Sequence, residues 1–233
     1  MPFQIQPCSP LDAPGLARTM ISARLTDPHW AKLWEDPSPE PIISRTAKRI
    51  PWTLVQSGES KRLEKVIDET GQIVGYARWI LPTHLAKSDI WPHAQVVDVL
   101  PDKHAEYEAM YKENSLGAQP IGLRTDGIMA FRGAALDKVD ARIMKDGPFL
   151  VLDYLVTDPG FWRRGVGGML VRSGLEIADR HQVKTYVMSS SAGLKVYLNS
   201  GFELVESVTT DYSQYGGTEP VEDYFLVRKP TPV

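Results

Sequence analysis

A strand that runs straight into a glycine-rich helix start restricts the folds open to this chain. Phe149-Leu150-Val151-Leu152-Asp153-Tyr154-Leu155-Val156 is a nearly continuous apolar run, which predicts a strand buried on both faces. It leads through Asp158-Pro159-Gly160-Phe161-Trp162-Arg163-Arg164-Gly165-Val166-Gly167-Gly168 into a helix predicted from Gly165 to His181. Val166, Met169, Leu170, Ile177 and Ala178 would face the core. The N-terminus of such a helix exposes unpaired N–H groups and partial positive charge, so it attracts phosphate. Gly165, Gly167 and Gly168 admit a ligand to the backbone, and Arg163 and Arg164 add charge. The plainer reading is a glycine-rich helix start with two solvated arginines.

Two nucleotide signatures that also place glycines here do not fit. A Walker loop needs Lys-Ser or Lys-Thr after its glycines, and neither follows. The dinucleotide fingerprint needs glycine where Leu170 stands, and the next strand ends without the acid that holds a ribose.

Elsewhere the chain reads as alternating elements. Phe3 to Gln6 predicts a first strand, and Ser9 precedes a helix with an apolar stripe of Leu11, Leu16, Met20 and Ile21. A second helix is predicted between Pro41 and Gln56, with Pro51 against its second half. Arg62 to Asp68 and Ile73 to Leu81 form a hairpin around Glu69-Thr70-Gly71-Gln72. From Pro82 to Gly147 the pattern weakens, with helices expected over Asp102 to Glu113 and Ala134 to Met144. Strands then follow at Thr185 to Met188, Phe202 to Val208 and Tyr224 to Arg228, with a short helix from Ala192 to Asn199. That order implies a mixed sheet carrying helices.

The length of 233 residues suits one domain with insertions. With 42% apolar and 24% charged residues, disordered, collagen-like and disulfide-framework classes are set aside. A formal charge of −3 is too small to steer a bulk polyanion, so no nucleic-acid partner is expected. Cys8 is the single cysteine, which points to a reducing compartment. The start MPFQIQPCSPLDAPG does not read as a secretory signal, and no stretch nears the roughly 20 apolar residues of a membrane span. A cytoplasmic or nuclear protein with no membrane partner is expected.

Two blocks together resemble the Gcn5-related N-acetyltransferase (GNAT) superfamily. Trp162-Arg163-Arg164-Gly165-Val166-Gly167 is similar to its acyl-CoA loop, [QR]-x-x-G-x-[GA]. Ser189-Ser190-Ser191-Ala192-Gly193-Leu194-Lys195-Val196-Tyr197-Leu198-Asn199-Ser200-Gly201-Phe202 is similar to its helix ending in Y-x-x-x-G-F. The stretch Asp211 to Gly217 is similar to uncharacterised fungal members. Two positions depart from the pattern: Trp162 replaces Gln or Arg, and Ser190 replaces an asparagine common in the family. The resemblance implies an α/β fold, with a mixed, mostly antiparallel central sheet flanked by helices and a long insertion between the third and fourth strands. It makes residues 1–233 one N-acetyltransferase domain, divided as 1–81, a variable 82–148 and an acyl-CoA-binding core at 149–229.

The implied function is acetyl transfer from acetyl-CoA to a primary amine in a ternary complex, without a metal. Leu155, Val156 and Thr157 would meet the pantetheine arm, and the amides of Arg163, Arg164, Gly165, Val166, Gly167 and Gly168 the pyrophosphate. Ser190 and Tyr197 would complete the cofactor contacts, with Tyr197 as the acid for the leaving thiolate. A lysine-like amine has a pKa of about 10.4, so the site must also deprotonate its acceptor. Asp153, expected to be buried, is the first candidate base; packing and a structural carboxylate are the respective alternatives for Tyr197 and Asp153. His84, His93 and His104 are further candidates and show no metal-binding spacing. Trp79 and Trp91 would line either an acceptor pocket or the core. The weak net charge argues for a small amine over a basic protein tail, with Trp91, His93 and Tyr107 closing over it. A non-catalytic acyl-CoA-binding module and a protein-interaction domain stay open on the sequence alone; the number of subunits is undetermined.

Overall fold

The computed structural model describes residues 3–56, 58–87 and 89–232. In chain order the elements are β1 (Gln4–Pro7), α1 (Ala13–Arg24), α2 (Pro28–Ala31), α3 (Pro39–Val55), β2 (Lys61–Ile67), β3 (Ile73–Ile80), α4 (Pro101–Glu113), β4 (Ser115–Leu116) and β5 (Gln119–Pro120). There follow α5 (Ile128–Met144), β6 (Phe149–Thr157), α6 (Val166–Arg180), β7 (Lys184–Ser190), α7 (Ser191–Leu198), β8 (Glu203–Thr210) and β9 (Val221–Arg228). Among the described residues seven strands form one sheet in the order β1-β2-β3-β6-β7-β9-β8, and β4 and β5 pair separately. Only β6 and β7 run parallel in that sheet; its other neighbours are antiparallel. This is the expected mixed, mostly antiparallel arrangement.

Alternation along the strands sorts the helices onto two faces. Leu63, Tyr76 and Val156 bury against α1 and α3, and Phe149, Tyr186 and Phe225 against α5. On the opposite face Val66, Ala77, Leu150, Val187 and Leu226 pack with α6, Tyr197 and Phe202. Gly75 of β3 permits this, since a Cβ there would stand 2.5 Å from Val166 Cγ1. The helix start is thereby seated directly on the sheet.

Several expectations need correction. Leu11 lies before α1 and is 88% exposed, so it is outside the apolar stripe. Helix α3 runs through Pro51. A proline inside a helix costs about 3 kcal/mol. Ile42, Ile50 and Leu54, all buried on this helix, each return about 1.5–3 kcal/mol and outweigh it. Helix α5 begins six residues before the predicted Ala134, and α2 was not foreseen. The strand predicted as buried on both faces is not: β6 exposes Asp153. Trp91 and His93 lie on the α6 side of β2, whereas Tyr107 belongs to α4, so these three do not converge on one lid. No described helix is long and apolar enough to cross a membrane.

Candidate active site

The site begins where two parallel strands part. Residues Phe149, Leu150 and Val151 pair with Lys184, Thr185 and Tyr186, and the pairing ends there. Strand β6 continues to Thr157, held on its other edge by β3 as far as the Gly75–Thr157 pair. Its edge toward β7 is therefore free from Leu152 onward, which leaves backbone donors and acceptors along a cleft. Asp153 is the extra residue of a bulge, since Arg78 and Trp79 pair with Tyr154 and Leu152. A bulge reverses which side chains face each side of the sheet. Tyr154 and Val156 accordingly turn toward α1, while Leu155 packs on the α6 side.

The wide end of the cleft meets the start of α6. Gly165 adopts φ of +86°, a conformation that favours glycine, and turns the chain into the helix. The first helical bond there runs from Met169 N–H to Gly165 C=O at 3.0 Å. The amides of Val166, Gly167 and Gly168 thus have no partner within the helix. A Cβ on Gly167 would stand 3.5 Å from Thr157 Oγ1 and 4.0 Å from Leu155 Cδ2, so these amides adjoin the end of β6. Arg163 and Arg164 are exposed, and the Arg164 guanidinium lies about 5 Å from the rings of Phe3 and Phe161. Unpaired amides, a glycine lining and a free strand edge suit a long ligand with phosphate at one end and amide groups along its arm.

Tyr197 is buried at the base of α7, its ring 5.7 Å from that of Phe202. Burial raises the pKa of its phenol, and the positive charge of Arg24 opposes the rise. Ser190 is exposed at the end of β7 and begins α7. Asp153 is exposed too, and its Oδ2 accepts a hydrogen bond from Arg78 Nε. The expected partner exists, but the expected burial does not. His84, His93 and His104 are exposed and dispersed; His104 packs on Trp52. Trp79 and Trp91 are core residues, ring to ring at 6.1 Å.

On the α1 face of the sheet, across from Tyr197, stands a group that the sequence did not single out. Arg24, at the end of α1, donates from Nε to the Tyr154 hydroxyl at 3.3 Å and lies near Asp27 and the Tyr197 phenol. Asp223 of β9 lies opposite Ser190, with Arg132 of α5 4.0 Å from its Oδ1. Burial raises the Asp223 pKa, and Arg132 opposes the rise. The alternation Val221, Asp223, Phe225 was the available signal, because it puts an acid on an inward face.

A mostly antiparallel sheet opened beside a glycine-lined helix start is the fold of an acyltransferase. The chain belongs to the acetyltransferase (GNAT) family, whose model matches residues 27–202. No curated protein matches it by sequence. Among solved structures, a histone acetyltransferase HPA2 and related acetyltransferase from Corynebacterium glutamicum superposes with a TM-score of 0.57 at 15% identity, covering 100% of this chain and 99% of that one. A polyamine N-acetyltransferase from Drosophila melanogaster, which forms N-acetylagmatine, gives 0.56 at 14% identity, covering 97% and 99%. A mutant agmatine N-acetyltransferase in its apo form gives 0.55 at 14%, covering 98% and 100%. At these identities the likeness is one of fold.

Proposed function

We propose that this acetyltransferase transfers an acetyl group from acetyl-CoA to the primary amine of a small molecule by direct attack in a ternary complex. The observation that carries the reading is the parting of β6 from β7 beside the unpaired amides of Val166, Gly167 and Gly168. When bound, acetyl-CoA supplies an activated acyl thioester. Leu155, Val156 and Thr157 would hold its pantetheine arm through backbone groups, with Ser190 on the facing strand. The amides from Arg163 to Gly168 would hold its phosphates, where the helix dipole adds to the hydrogen bonds.

Tyr197 would hold a proton at Oη for the departing sulfur, and its burial keeps the phenol protonated across the working pH range. Asp153 is the carboxylate of β6 and stands two residues beyond the last β6–β7 pair. With Oδ2 engaged by Arg78, its Oδ1 would draw the proton from the acceptor ammonium. A small acceptor is supported by the fencing of the α1 side. Glu35 N–H bonds Gly122 C=O at 2.9 Å, and Arg124 reaches the carbonyls of Lys32 and Tyr215. Three connections are thus interlocked there. Polyamine and agmatine acetyltransferases of the same fold are consistent with such an acceptor.

The test mixes the protein with acetyl-CoA, a thiol reagent and two acceptor sets, small amines and lysine-bearing peptides. Release of CoA with a small amine, and the acetylated amine by mass spectrometry, is the expected result. Turnover of peptides alone would overturn the small-molecule acceptor. Binding of acetyl-CoA without release in either set would make the chain a binding module.

A further inference from the structure

On the α1 side of the cleft two carboxylates and two guanidinium groups gather. Asp27, Arg24, Asp223 and Arg132 come from the turn after α1, the end of α1, β9 and α5. Arg132 stands 4.0 Å from Asp223 Oδ1, and Arg24 and Asp27 lie close enough to bear on the Asp223 carboxylate. Arg78, Arg124 and Arg228 each have a carboxylate within ion-pair distance. Arg24 has none among the described residues; its hydrogen bond goes to a tyrosine hydroxyl, and its guanidinium sits 4.8 Å from the same ring. Asp223 has Arg132 at 4.0 Å from Oδ1 as its one ion-pair partner among the described residues. Its side chain is 6% exposed, and Oδ2 is buried without a hydrogen bond among the described residues.

Charged groups removed from water need a counter-charge or several hydrogen bonds. A guanidinium over an aromatic face, with its amino groups uncommitted, suits a carboxylate in two-point contact. We infer that the acceptor is an amine that also carries a carboxylate, an amino acid or close analogue, with Arg24 and Arg132 receiving the carboxylate. Asp223 then balances the positive charge that the two arginines bring to the basin. This rests on the small-amine reading above and narrows it.

The experiment uses matched acceptors that differ only by the carboxylate: arginine and agmatine, lysine and cadaverine, phenylalanine and phenethylamine. For the best-used pair, kcat/KM should favour the carboxylate-bearing member at least tenfold. Arg24→Gln and Arg132→Gln should each shrink that preference about tenfold, mainly through KM for the amino acid. Stabilisation by acetyl-CoA in a thermal melt shows that each variant is folded. Preference for the decarboxylated member in every pair, or equal loss for both members in each variant, overturns the inference and leaves the small-amine reading standing. Turnover of lysine-bearing peptides with no member of any pair overturns both.

Discussion

The indole N–H of Trp162 donates to the carbonyl of Thr157 at 2.8 Å and ties the loop after β6 to the last residue of that strand. The side chain that replaces the family's glutamine or arginine therefore helps to shape the loop that leads into α6. Trp162→Phe keeps most of the ring and removes the donor. One such bond contributes about 1 kcal/mol, so acetyl-CoA should bind about fivefold more weakly. Calorimetry reads this directly, and an unchanged Kd would leave the bond without a part in the loop.

Stability should depend on pH through Glu64. This carboxylate is fully buried on β2, receives the Ser173 hydroxyl at 3.0 Å, and has a second oxygen without a partner among the described residues. Burial pushes its pKa up to about 7 from an ordinary 4.5. Between those values the native state keeps a proton that the unfolded state has lost, so stability falls as pH rises through the window. The loss is on the order of 3 kcal/mol by pH 8. Glu64→Gln should flatten the dependence and be the more stable form at pH 8. Urea unfolding of both proteins at pH 5 and pH 8 checks it; equal pH slopes would assign the dependence elsewhere.

Tyr197→Phe removes one hydroxyl from a ring packed against Phe202. A positioned acid contributes about 10²–10⁴-fold, so kcat should fall within that range while acetyl-CoA affinity changes far less. Because burial raises the phenol pKa, the wild-type profile should show no basic limb from this group below about pH 10. A fall of less than about threefold, with chemistry rate-limiting, would make Tyr197 a packing residue.

The glycine-rich start of α6, the hairpin and the paired blocks of the family were legible because glycines and apolar spacing carry them locally. What escaped was set by contacts distant in sequence. Helix α3 crosses Pro51 because its apolar face is covered by the sheet, a fact that propensity does not contain. Asp153 looked buried because an apolar run does not announce a bulge, and the bulge depends on the register with β3. Arg24 reads locally as a basic residue completing a helix end, which is favourable by itself. Only the fold brings it within reach of Tyr154, 130 residues later, and of Tyr197 and Asp223.

Titration of acetyl-CoA into wild type and Gly167→Asp reads whether the acyl carrier is held at the start of α6. At Gly167 a Cβ meets only ordinary contacts, at 3.5 and 4.0 Å, so the variant should fold and differ mainly by a carboxylate beside the helix-start amides. A thermal melt near the wild-type value would confirm that. Saturable binding to wild type is expected, with a loss of about a hundredfold or more in the variant, because the added charge stands where phosphate would. Equal affinity in the two proteins would contradict this and move the acyl carrier away from the start of α6.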